Sequence, residues 1–102
     1  MAKGYWMARV DVHDPEGYKE YVALNGAPIA EFGGKFLVRG GPFEAVVGEA
    51  RQRNVVIEFP TYQAALDCFY SEGYQKALAV RERCSVSEQV IIEGYDGPQP
   101  GQ

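Results

Sequence analysis

The chain has two cysteines, one histidine and one tryptophan among 102 residues, and each scarcity excludes something. Cys68 and Cys84 do not form a CxxC pair. With His13 as the sole imidazole, no zinc-binding set can be assembled, and no metal is expected. Both cysteines fall in helical pattern and read as reduced core residues. No apolar run approaches the roughly 20 residues that a membrane span needs. The opening MAKGYWMARVDVHD lacks the charged start, apolar centre and small-residue cleavage site of a signal peptide, so the expected location is cytoplasmic. The glycine pairs at 33–34 and 40–41 have neither GxGxxG spacing nor a following helix, and read as punctuation rather than a phosphate loop. Basic charge is also in deficit, with 10 Lys and Arg against 14 Asp and Glu. That balance and the absence of a basic stripe argue against nucleic acid or an anionic membrane as partner.

What is present is an ordinary globular composition with an unusual wealth of aromatics, 7 Tyr and 5 Phe. The length implies one domain, taken as residues 1–96, with a mobile tail over 97–102 that has nothing to bury. Tyr5–His13 alternates and reads as a strand. Asp14, Pro15 and Glu16 supply an N-cap, a first-turn proline and a first-turn acid for a helix to about Phe32. Pro28 predicts a kink or break in it, and Gly33-Gly34 its end. Lys35–Arg39 is a second strand. Gly40-Gly41-Pro42 bends it, Phe43–Gly48 continues it, and Ala50–Gln52 turns it into the strand Arg53–Phe59. Thr61 caps a second helix, and Ser71-Glu72-Gly73 breaks it into a further piece reaching about Arg83. Val86–Tyr95 is the last strand.

The order β-α-β-β-α-β predicts an α+β ferredoxin-like sandwich. The sheet has four strands, antiparallel or mixed, with the helices on one face. Right-handed crossovers are read as placing the first and third strands side by side and parallel. Parity then assigns Trp6, Ala8, Val10, Val12, Phe36, Val38, Val55, Ile57, Phe59, Val90 and Ile92 to the helix face. Met7, Arg9, Asp11, Leu37, Arg39, Asn54, Val56, Glu58, Gln89 and Ile91 go to the opposite face. That second face mixes apolar residues with charges, which marks an interface, and a two-fold homodimer through it is expected. A bulge in the second strand would flip part of this assignment.

Glu58 stands out as a carboxylate within an apolar strand, since burying it alone is costly. Arg9 and Arg39 are read as within its reach. The group is either an ionic network that fixes register or an anchor for an anionic or carbonyl ligand. A dry network predicts a loss of about 3–5 kcal/mol when Glu58 is removed. In the ligand reading Glu58 or His13 does acid–base work and Arg39 stabilises negative charge. Arg9, Tyr18, Tyr21, Tyr74 and Arg81 then line the site. The plainer readings are a loop-entry His13, packed tyrosines with hydroxyls at the rim, and a snorkelling Arg81. Whether the protein is an enzyme stays open. The alternative is a non-catalytic dimeric module.

GYW at Gly4–Trp6, DPEGYKEY at Asp14–Tyr21 and GGKFLVRGG at Gly33–Gly41 resemble the domain-of-unknown-function family 1330. So do RNVVIEFPTYQAAL at Arg53–Leu66, EGYQKAL at Glu72–Leu78 with Arg81, and VIIEGYD at Val90–Asp96. The resemblance spans about residues 4–96. It implies the dimeric α/β-barrel superfamily, whose ferredoxin-like subunits pair through their sheets. That superfamily includes cofactor-independent monooxygenases, muconolactone isomerases, chlorite-dismutase-like haem proteins and stress-response barrel proteins, but the fold does not transfer their chemistry. A haem protein of that type is expected to use a proximal histidine, and His13 at a strand end is poorly placed for it. No cofactor is expected.

Overall fold

The computed structural model describes residues 2–101; Met1 and Gln102, the last residue of the expected mobile tail, lie outside the described residues. Strand β1 runs Gly4–Val12 and helix α1 Pro15–Glu31. Strands β2, Lys35–Arg39, and β3, Arg53–Phe59, follow. Helices α2, Tyr62–Tyr70, and α3, Glu72–Cys84, then lead into β4, Ser85–Glu93. The fold is a ferredoxin-like α+β sandwich with the strand order β2-β3-β1-β4. No helix among the described residues is long and apolar enough to cross a membrane.

Local chemistry accounts for the helix ends. Asp14 accepts from the Gly17 N–H at the start of α1. At its end Gly33, with φ of 80°, lets its N–H reach Ala30 and that of Gly34 reach Ile29, which satisfies two orphan carbonyls. Thr61 caps α2. Ser71 serves two helices at once: its hydroxyl donates to the Cys68 carbonyl ending α2 and accepts from the Tyr74 N–H opening α3. Pro28 does not break α1, which continues one turn past it to Glu31. The ring is buried, and the Pro28 carbonyl accepts from the Cys68 thiol, so packing offsets the missing N–H.

The first and third strands are neighbours as expected, but antiparallel rather than parallel. The β1-α1-β2 crossover joins two parallel strands that are not adjacent, and β3 enters between them after the chain has reversed. All three pairings in the sheet are antiparallel. Phe43–Gly48 forms no strand. Residues 40–52 are an irregular exposed loop, held at its far end where Arg51 bridges Asp11 and Glu88.

One face of the sheet packs against the helices. Trp6, Ile57 and Phe59 meet Tyr21, Ile29, Ala65 and Tyr74 there. The Trp6 indole lies 4.7 Å from the Tyr74 ring and 5.1 Å from Phe59, and its N–H donates to the Ala65 carbonyl. Each large side chain buried this way contributes about 1.5–3 kcal/mol. The parity read from the sequence holds for β1 and β3 but fails in two places. In β4, Gln89 sits opposite Ala8 and Ile91 opposite Trp6, so both face the helices while Val90 and Ile92 point outward. In β2, an irregularity between Phe36 and Val38 shifts the phase. Val38 then lies opposite Val56 on the outer face, and Arg39 opposite Val55 on the helix face.

Candidate functional site

The change of phase in β2 brings Arg39 to the edge of a cavity between the sheet and α1. Its wall on the sheet side is Trp6, Phe36, Val55 and Ile57, and Arg53 of β3 also lines it, half-buried where Arg39 is exposed. Helix α1 contributes Tyr18, Tyr21 and Asn25, spaced three and four residues apart so that they share one face. Arg81, from the last turn of α3, closes the floor. Its water-accessible volume is about 30 Å³, room for about two waters.

Three guanidinium groups meet this space, each over its own aromatic ring. Arg39 lies 4.1 Å from the Phe36 centroid, Arg53 5.5 Å from Tyr18, and Arg81 5.6 Å from Tyr21. The two tyrosine rings are themselves 5.4 Å apart. Arg81 is only 5% exposed. It donates to the Tyr74 hydroxyl at 3.3 Å, which lies 2.7 Å from the Tyr21 hydroxyl. Its Nε has no hydrogen-bond partner, nor do Arg53 Nε and Asn25 Oδ1. Gln89, on the sheet wall, has neither end of its amide paired. Among the described residues no carboxylate lines the cavity.

The rest of the chain's cations are treated differently. Of 10 lysines and arginines, Lys3, Arg9, Lys19, Arg51, Lys76 and Arg83 are in ion pairs. The four others, among the described residues, are Lys35 and the three cavity arginines. Burial pushes the Tyr18 hydroxyl above the usual phenol range, although Arg53 and Arg81 pull the other way. Burial, reinforced by Tyr21, holds Tyr74 far above that range. Both are neutral donors at physiological pH.

The structure thus gathers Arg39, Tyr18, Tyr21 and Arg81 around one space, with Tyr74 directly behind. It does not bring Arg9, Glu58 or His13 there. Glu58 is on the outer face, 3.3 Å from Lys3 and accepting from the Tyr5 hydroxyl. Arg9 lies opposite Asn54 while Glu58 lies opposite Tyr5; four residues along a strand is roughly 13 Å. Arg9 instead meets Glu88 at 3.7 Å and donates to the Glu49 carbonyl. Arg39, turned to the other face, cannot join Glu58 either. His13 is exposed beyond the end of β1, outside the cavity. Arg53, Asn25 and Gln89 complete the cavity. The alternation that puts Val55 and Ile57 inside also puts Arg53 inside, so its signal lay in the strand itself. Gln89 had no such signal once the phase of β4 was misread.

No group of three or more His, Cys, Asp or Glu side chains able to hold a metal occurs among the described residues. Both cysteines are free and buried, and burial pushes the Cys68 thiol up to about 12.

The model of the family described as "Domain of unknown function (DUF1330)" matches residues 3–95. The chain belongs to this family. No curated protein sequence matches it. Among solved structures, this DUF1330 chain is similar to the RPA0582 protein of unknown function from Rhodopseudomonas palustris. The TM-score is 0.75 at 17% identity, over 94% of this chain and 85% of that one. It is also similar to SnoaB, a cofactor-independent oxygenase from Streptomyces nogalater, with a TM-score of 0.63 at 15% identity over 100% of both chains. An antibiotic biosynthesis monooxygenase aligns with a TM-score of 0.55 at 11% identity, over 96% of this chain and 100% of that one. At these identities the likeness is one of fold.

Proposed function

We propose that the protein binds a small carboxylate-bearing molecule in the cavity between sheet and α1, and does so as a homodimer. The observation that carries this reading is Arg81, a buried guanidinium with no carboxylate partner. Burying an unpaired cation costs several kcal/mol, and an anionic ligand offsets that cost. The planar fork of a guanidinium also matches a carboxylate bidentately. Binding is favoured over acid–base catalysis because the described residues that line the cavity include no carboxylate and no imidazole, while Glu58 and His13 lie elsewhere. A cofactor-free reaction like that named for SnoaB would need the bound molecule to supply its own reactivity, and fold alone does not carry that chemistry.

The dimer reading rests on the outer face, where Val90 and Ile92 are 56% and 51% exposed beside Met7 and Val38. The charges around them pair within the chain, as Arg9 with Glu88 and Lys3 with Glu58. A patch with no net sign to satisfy suits a copy of itself. The free cysteines fit a reducing, cytoplasmic setting.

Trp6 is the sole tryptophan and lines the cavity, so its fluorescence reports occupancy directly. Titration with acetate, propionate and benzoate at constant ionic strength is expected to give a saturable change that Arg81→Met abolishes. A flat response to all three, or an unaltered response in Arg81→Met, would overturn the reading.

A further inference from the structure

We infer that the ligand is a dianion, a short dicarboxylate with a slim apolar spacer, held at Arg81 by one end and at Arg39 and Arg53 by the other. This rests on the anion-binding reading above and specifies what that anion is.

The cations of the cavity are distributed along its depth. Arg81 is buried at the floor, Arg53 is half-buried, and Arg39 is exposed at the mouth. They do not converge on one point, because each is held by a different ring: Tyr21, Tyr18 and Phe36. Stacking on a ring fixes the plane of a guanidinium and leaves its edge N–H groups free for an acceptor. The water-accessible space of the whole cavity holds about two waters, which suits the two oxygens of one carboxylate and leaves the rest of the ligand to the solvent-open side. Between floor and mouth the wall is Trp6, Phe36, Val55 and Ile57, which makes no polar demand on a spacer.

Charge selects between one anion and two. One carboxylate on Arg81 leaves Arg39 and Arg53 without a counter-ion in a protein that pairs its other arginines, Arg9, Arg51 and Arg83. A second carboxylate at the mouth neutralises that pair. Gly40 belongs to the same arrangement. With φ of 68° and no side chain, it lies against the Arg53 guanidinium, where a Cβ would come within 2.8 Å of Nη1. The backbone at the end of β2 therefore leaves space for Arg53 to stand at the mouth.

The test is isothermal titration of the full chain with glutarate and with valerate, its monoacid counterpart, at constant ionic strength. Glutarate is expected to bind at least about tenfold more tightly, the scale of one added charge-assisted contact. Arg39→Gln, a change at an exposed side chain, is expected to remove that advantage. Equal affinity for the two acids would overturn the two-anion inference and leave the anion-binding reading standing. Binding of neither would overturn both. A series from malonate to adipate then measures the spacing of the two stations, and a flat series would also count against them.

Discussion

The two faces of the sheet handle charge in opposite ways. On the outer face Arg9, Arg51 and Lys3 each find a carboxylate from their own chain. On the helix face Arg39, Arg53 and Arg81 find none, although the protein has four more acids than bases. A surplus of carboxylates that never enters the cavity is a segregation rather than a shortage. The outer face is electrostatically complete and apolar at its centre, so it is suited to being covered. The inner face is packed but electrostatically incomplete, so it is suited to being filled.

The largest expected effect tests the packed side. Trp6→Ala removes the ring that joins the sheet to α2 and α3, and should cost about 3–5 kcal/mol in urea unfolding. A loss under about 1 kcal/mol would mean the inner face is not the core that the burial pattern describes. Next comes the outer face, the proposed dimer contact. Val90→Lys should leave the subunit folded by circular dichroism and convert a dimer mass to a single-chain mass in native mass spectrometry. Persistence of the dimer would place the interface elsewhere. The smallest effect concerns Glu58, whose partner Lys3 is half-exposed. Glu58→Gln should cost about 1 kcal/mol or less, as exposed pairs do. A loss of about 3–5 kcal/mol would restore the buried network that the sequence pattern evokes.

Much of this comparison was legible from residue order. Asp14, Thr61 and Ser71 announce the helix starts, and alternation in β1 and β3 assigns both faces correctly, though Arg53 is placed on neither. Arg81, Tyr18 and Tyr21 are readable as an inner group from helical spacing. The rest depended on phase. In β4 the outward residues Val86, Val90 and Ile92 are more apolar than the inward Ser85, Ser87 and Gln89, so hydrophobicity points to the wrong face. In β2 one irregular residue turned Arg39 from the face of Glu58 to the cavity, and no local composition marks where a strand absorbs it. An acid in an apolar strand looks costly, but Tyr5 of the neighbouring strand and Lys3 just before it satisfy Glu58.

Helix α3 passes into β4 with no residue between Cys84 and Ser85. The point where the helix stops therefore sets which way every side chain of the final strand faces. One residue inserted there would turn Val90 and Ile92 inward and Gln89 and Ile91 outward, exchanging the two faces over the whole strand. Two inserted residues would restore them. The loop 40–52 is free of such a parity rule, since it enters no pairing. A change in the length of that loop leaves the facing of every strand as it is, whereas at the helix–strand junction only even changes do.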